Sequence, residues 1–480
     1  MECSLFVVEK LTKKIMIKKQ LIIGVLISLL VCNSIASLHA QKTTGIAGTW
    51  MARGYGWFAE IDDQRIRIYD FTKISCTAST EYPLAMLSEG LSVSTNVLTL
   101  KRGVTQYSFD PIDALPDLCN QKLSKKKRNN PLFNFDVLWH TFNDQYAYFK
   151  ERNVDWKVLH DTYRNKIDDA TGKADLFAIC DAMLEELNDG HVDISASDKI
   201  MKKAAVIGIW DTRPSADLKG TREAIIAKYI KTPKRHNISR TIWGKINDSI
   251  GYLQINSMGA QGEYGITDTT PQKEAQNIYL KYVSKTLDPF MDDINGINVT
   301  MKKVLNDLGD TKKIILDLRF NGGGEDMVGL AVLSYFVSTK KTVFHKKNRV
   351  ADSFSEPYQF ELSPAESTYG GKLFLLQSHW SASATEILLL SSLAYEDIMR
   401  LGSPSEGIFS DILEKKLPNR WEFGLSNQVY QDTDGISYEA KGIPVHVDLD
   451  YPKDAYELVD KLKKDLGTTG DTAIEHVISH

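Results

Sequence analysis

Between Ile250 and Leu401, short apolar runs alternate with longer runs of helical periodicity, and this alternation constrains the chain more than any other feature. Ile250-Gly251-Tyr252-Leu253-Gln254-Ile255, Lys313-Ile314-Ile315-Leu316-Asp317-Leu318, Lys372-Leu373-Phe374-Leu375-Leu376 and Ile398-Met399-Arg400-Leu401 read as strands. Residues 279–308, 327–337 and 384–394 read as helices between them. Strands that alternate with helices stack into layers, so a layered α/β domain is expected here.

The chain is 480 residues long, too long for one core, and two to four domains are expected. Residues 41–121 alternate apolar and polar, as in Arg65-Ile66-Arg67-Ile68-Tyr69, and predict a small β module. Residues 122–131 form a basic linker around Lys125-Lys126-Lys127-Arg128, for which an anionic-surface patch is the alternative reading. In residues 132–195 the period changes: Phe135, Leu138, Trp139, Phe142, Tyr146 and Phe149 recur at helical spacing, and further helices follow over 156–167 and 175–187. Asn188-Asp189-Gly190 then ends the last helix, with glycine suited to the left-handed position after it. A strand begins at His191. Residues 196–250 are a connecting region of scattered apolar signals, and 251–480 carry the α/β core. The net charge of −4 comes without a basic face, which argues against nucleic acid as a partner.

The first 40 residues have a character of their own. Lys13, Lys14, Lys18 and Lys19 precede an apolar run over residues 21–31, and Ser37-Leu38-His39-Ala40 follows. A basic start, an apolar stretch about half as long as a membrane span needs and a small residue at the cut describe a cleaved export signal. Cleavage is expected after Ala40, the protein is expected to be secreted or periplasmic, and lipid anchoring through Cys32 is the less favoured route. Three of the five cysteines then remain. Cys76 and Cys119 are the plausible disulfide pair in an oxidising compartment, and Cys180 lies in a helical pattern as a core thiol. No zinc-ligand spacing occurs, and no metal or organic cofactor is implied.

Three segments carry chemistry. In Asp317-Leu318-Arg319-Phe320-Asn321-Gly322-Gly323-Gly324 a strand runs into three glycines, a turn whose N–H groups can approach a substrate and stabilise an oxyanion. No Lys-Ser/Thr follows, so a phosphate loop is not supported. In Ser378-His379-Trp380-Ser381-Ala382-Ser383-Ala384-Thr385-Glu386 a serine sits where a strand meets a helix, either as a nucleophile at the helix N-terminus or simply as the helix cap. The third segment is discontinuous: Asp432 to Gly435, then Tyr438-Glu439 and Gly442-Ile443-Pro444.

Taken in order with Leu187-Asn188-Asp189-Gly190-His191, these motifs resemble the tail-specific (C-terminal-processing) serine protease family, and in particular its tricorn-like branch, which is similar to the repeats of interphotoreceptor retinoid-binding protein. The resemblance spans about residues 130–475 and implies a crotonase-like core of β, β and α layers, a helical subdomain and a peptide or protein substrate. One branch of the family places a lysine about 25 residues after the serine; Ile408 stands there, with Lys415 and Lys416 beyond. The other branch implies Ser383 as nucleophile, His191 as base and Glu439 as supporting acid, with Gly322, Gly323 and Ala384 N–H groups at the oxyanion. Ser381, His379, His446, Asp434 and Glu386 are the rival candidates. No peptide-binding loop of the PDZ type is visible in 196–250, so selection by a free C-terminus is doubtful. A non-catalytic binding protein and an acyl hydrolase are the other classes this architecture allows.

Overall fold

The structure is a computed structural model that describes residues 45–480 apart from 88–89, 206–215, 238–239, 268 and 287. The expected export signal, residues 1–40, lies outside the described residues. Among the described residues no helix is long and apolar enough to cross a membrane.

The C-terminal half is built on a seven-stranded sheet. Its order is Val447–Asp448, Met399–Gly402, Lys372–Gln377, Lys313–Asp317, Ile250–Ile255, Thr241–Asn247 and Lys234–His236. The first five strands are parallel and the last two antiparallel. The sheet therefore starts upstream of Ile250, within the stretch read above as a connecting region. Leu253 pairs with Leu316 and Leu316 with Leu375, while Ile315 pairs with Tyr252 and Phe374. Because side chains alternate across a strand, these two rows face opposite layers. One row packs on Ile297, Met301 and Val304 of the helix Pro289–Leu308 and on the helices Asp326–Ser334 and Ala384–Ser392. The other packs on Ile225 and Ile226, on Leu458 and Leu462, and on Ile474 and Val477.

The helical pattern over 279–308 is two helices, Gln272–Val283 and Pro289–Leu308. Proline cannot donate an N–H to a preceding turn, and Asp288 caps the new helix by accepting from Met291 N–H at 3.2 Å.

Residues 48–112 form a seven-stranded antiparallel sheet. Cys76 and Cys119 form a disulfide, as expected, tying the strand Ser75–Pro83 to the turn after the sheet. The basic stretch 125–128 is a single helical turn capped by Ser124. One face of the sheet, through Trp50, Tyr55 and Phe109, shares an apolar core with Phe135, Leu138 and Phe142 of the helix Pro131–Gln145 and with Met183 of the helix Lys173–Glu185. Phe423 and Leu425 of the distant strand Glu422–Ser426 complete that core. Cys180 is fully buried within it, and burial pushes its thiol pKa up, away from a nucleophilic thiolate.

This shared core sets the position of His191. The strand Asp193–Ser195 pairs with Glu422–Ser426, and Ala147 N–H donates to Ser426 O at 2.9 Å. The N-terminal helices are thereby fastened to the hairpin of Ile412–Lys416 and Glu422–Ser426.

Candidate active site

The strand Lys372–Gln377 delivers the chain to the helix Ala384–Ser392 through a turn whose hydroxyls are nearly all committed. Ser378 Oγ donates to Arg319 O at 2.7 Å, and Ser381 Oγ donates to Leu318 O at 2.9 Å and accepts from Ser378 N–H at 3.1 Å. Both serines are fully buried. Ser383 differs: it is half-buried, at φ 56° and ψ −126°, a conformation that costs an L-residue about 1–3 kcal/mol and is held by its surroundings. Its N–H donates to Glu386 Oε2 at 3.3 Å, one half of a capping box. Its Oγ lies 2.9 Å from His191 Nε2.

Glu386 acts as a buried hub. Besides Ser383 N–H it accepts from Ser405 Oγ–H at 2.6 Å, Gly407 N–H at 2.7 Å and Ile408 N–H at 2.8 Å. Burial pushes its pKa up to about 8, against the pull of these donors towards the ionised form. It fastens the loop 405–408 over the turn that holds Ser383.

His191 is buried, 7% exposed. Its main chain is fixed by Asp189, whose Oδ1 accepts His191 N–H at 2.9 Å and whose Oδ2 accepts from Tyr146 OH at 2.9 Å. The helix before it ends at Glu185, and the left-handed residue is Asn188, at φ 46°, rather than the expected Gly190. Asparagine tolerates that conformation because its short polar side chain bonds locally.

The glycine turn sits against Ser383. Gly323 has φ +101°, and a Cβ there would lie 2.6 Å from Ser383 Cβ, 2.8 Å from Ala382 O and 3.1 Å from Ala384 N. Only glycine fits. Its N–H, however, donates to Asn321 Oδ1 at 3.0 Å. Gly322 is exposed, and a Cβ there would meet nothing within 4 Å. Among the described residues, neither Gly322 N–H nor Ala384 N–H donates to a protein acceptor. Arg319, from the same motif, is fully buried and bonds Asp317 at 2.6 Å and Asp471 at 2.8 Å, a structural role beneath the sheet.

Glu439 is 1% exposed. Its Oε2 accepts from Phe409 N–H at 2.9 Å, and its Oε1 pairs with the Arg152 guanidinium. It makes no hydrogen bond to His191. Burial and the nearby Asp189 carboxylate push its pKa up to about 8, while Arg152 pulls it down.

The rivals lie in other settings. His446 Nδ1 accepts from Arg400 N–H at 3.0 Å, along the sheet. His379 is bonded to the Ser405 main chain, and burial lowers its pKa. Asp434 lies in an exposed turn and gives its N–H to Asp432. Lys415 Nζ is 2.9 Å from Asp70 and bonds Tyr55 O and Gly56 O at 2.6 and 3.0 Å, so it joins the hairpin to the N-terminal sheet and is not at Ser383.

The sequence places this geometry in a family. The model of peptidase family S41 matches residues 249–449, which include Ser383 and Glu439, and the model of the tricorn protease C1 domain matches residues 128–185, the helical segment that ends just before His191. The chain carries a peptidase family S41 region over residues 249–449. It is a serine-type peptidase, and its substrates are peptides or proteins. Among solved structures, a putative peptidase from Parabacteroides merdae shares the fold of this S41 peptidase, with 20% identity, a TM-score of 0.55 and coverage of 73% of this chain and 96% of that one. Mature CPAF complexed with lactacystin aligns at 9% identity and a TM-score of 0.49 over 71% of this chain and 98% of its own. The photosystem II D1 C-terminal processing protease aligns at 14% identity and a TM-score of 0.40, over 72% of this chain and 99% of its own. A comparison with curated proteins finds no match. 

Several residues that build the site of this S41 peptidase carry no role in the sequence reading. Asp189 and Asn321 stand inside quoted motifs, but their bonds to His191 N–H and Gly323 N–H are local turns that spacing alone does not reveal. Arg152 lies 287 residues from Glu439, and no sequence signal links them.

Proposed function

We propose that this S41 peptidase cleaves peptide bonds through an acyl-enzyme on Ser383, with His191 as general base and Glu439 as the supporting acid. The observation that carries the reading is the 2.9 Å contact between His191 Nε2 and Ser383 Oγ. A serine hydroxyl is a weak nucleophile until a base takes its proton, and histidine titrates near neutral pH. His191 Nε2 accepts the Oγ–H proton as Oγ bonds to the substrate carbonyl carbon. The carbonyl oxygen becomes an oxyanion facing the N–H groups of Gly322 and Ala384, both without a protein acceptor. Gly323, whose N–H is held by Asn321, gives the turn its closeness to Ser383. Collapse breaks the C–N bond, and the imidazolium gives its proton to the departing amine. Water then attacks the ester, His191 takes a proton from it, and the carboxylic acid leaves as Ser383 regains its hydrogen. Asp189 holds the main chain of His191, and Glu439 supports the base through Arg152, which bonds Asn188 O beside Asp189.

We also propose that the protein is exported. The basic-apolar-small pattern of residues 1–40 and the Cys76–Cys119 disulfide support this.

Peptide-library hydrolysis tests the chemistry. Turnover is expected to fall about 10⁴-fold or more in Ser383→Ala and in His191→Ala and to survive in Ser381→Ala. Full turnover in folded Ser383→Ala contradicts the reading.

A further inference from the structure

We infer that Arg152 is the positioning residue that holds His191 in register with Ser383; the inference rests on the reading of those two residues as base and nucleophile. Arg152 follows the helix Pro131–Gln145, and its side chain is 7% exposed. One guanidinium meets three loops. Nη1 donates to Asn188 O; Nη2 donates to Gly407 O at 3.1 Å and to Glu439 Oε1.

Each contact leads to a part of the site. Asn188 directly precedes Asp189, whose carboxylate fixes His191 N–H. Gly407 donates its N–H to Glu386, and Glu386 also holds Ser383 N–H. Glu439 holds Phe409 N–H in the same covering loop. Two short chains of hydrogen bonds therefore start from one cation, one ending at the base and the other at the nucleophile. The base and nucleophile lie 192 residues apart and on different cores, so their 2.9 Å contact needs a tie between the layers. Arginine suits this task because its planar fork serves several acceptors at fixed angles, whereas lysine offers one mobile point charge.

Arg152 touches neither Ser383 nor His191, and its effect is on geometry. Displacing a reacting group by about 1 Å can cost about 100-fold in rate. The experiment compares kcat, KM and the rate of Ser383 phosphonylation by a fluorophosphonate in wild type, Arg152→Ala and Arg152→Lys, with thermal unfolding as the measure of folding. Arg152→Ala is expected to lose about 100-fold in kcat with KM little changed, and guanidinium ion below denaturing concentration is expected to restore part of it. Arg152→Lys keeps a cation beside Glu439 and so protects the fold. It is expected to lose about 10-fold, because the charge alone does not reproduce the fork.

A wild-type kcat in folded Arg152→Lys, or a loss in Arg152→Ala that appears only as a lower melting temperature and is not rescued by guanidinium, overturns the inference. Wild-type protein that neither turns over peptides nor reacts with the probe overturns the reading of Ser383 and His191, and the inference with it.

Discussion

Replacing Gly323 by alanine tests how closely the glycine turn must approach Ser383. The added Cβ would lie 2.6 Å from Ser383 Cβ and 2.8 Å from Ala382 O, well inside contact distance, and both atoms belong to the strained turn. The backbone at φ +101° adds a strain of about 1–3 kcal/mol for any residue with a side chain. Overpacking of a tight site adds about 1–3 kcal/mol more. A destabilisation of about 2–6 kcal/mol follows, unless the turn moves away from Ser383 and relieves it. Movement would separate the N–H groups of Gly322 and Ala384 and lower kcat by about 100-fold. Gly322→Ala is the control: its Cβ meets nothing within 4 Å, and its N–H remains. Chemical denaturation and kcat/KM measured on both variants separate the cases. Gly323→Ala with wild-type stability and wild-type activity would refute the close approach.

The Glu325 carboxyl has no hydrogen-bond partner among the described residues, and burial with Asp293 and Asp411 nearby raises its pKa to about 7. The folded state then binds more protons than the unfolded state between about pH 4.5 and 7, so its contribution to stability falls as pH rises through that window, by up to about 3 kcal/mol in all. Glu325→Gln should flatten that decline in denaturant titrations, and an unchanged slope would exclude it. Lys415→Ala leaves Asp70 buried without its cation and should destabilise by about 3–5 kcal/mol while folded protein keeps its activity per molecule; loss of activity in folded protein would reopen a lysine base. Reducing Cys76–Cys119, which closes a loop of 43 residues, should cost the N-terminal sheet about 3–4 kcal/mol in thermal unfolding, and no change would remove the disulfide from its stability.

The parts of this fold that were legible in the sequence are local ones. Lys313–Asp317 and Lys372–Gln377 are apolar because they are covered on both faces, so composition alone reveals them. Thr241–Asn247 was missed because Lys245 and Asn247 break the apolar run, although its buried first half pairs with Ile250–Ile255. The break at Pro289 was hidden because apolar residues continue at helical spacing on both sides of it. At the site, Ser383 could be named from its strand-to-helix junction, but a cap and a nucleophile look alike there. What separates them is the direction of Oγ, which depends on a histidine brought in by another core. Arg152, Asp189 and Glu386 act through main-chain groups, and a bond to a carbonyl or an N–H leaves no residue-type signature.

The most direct measurement is the site of covalent modification by a fluorophosphonate, mapped by mass spectrometry of proteolytic peptides from wild type, His191→Ala and Ser381→Ala. The expected result is a single adduct on Ser383 in wild type and Ser381→Ala, and little or none in folded His191→Ala. An adduct on another serine, or labelling of Ser383 at the wild-type rate without His191, would contradict the assignment of nucleophile and base.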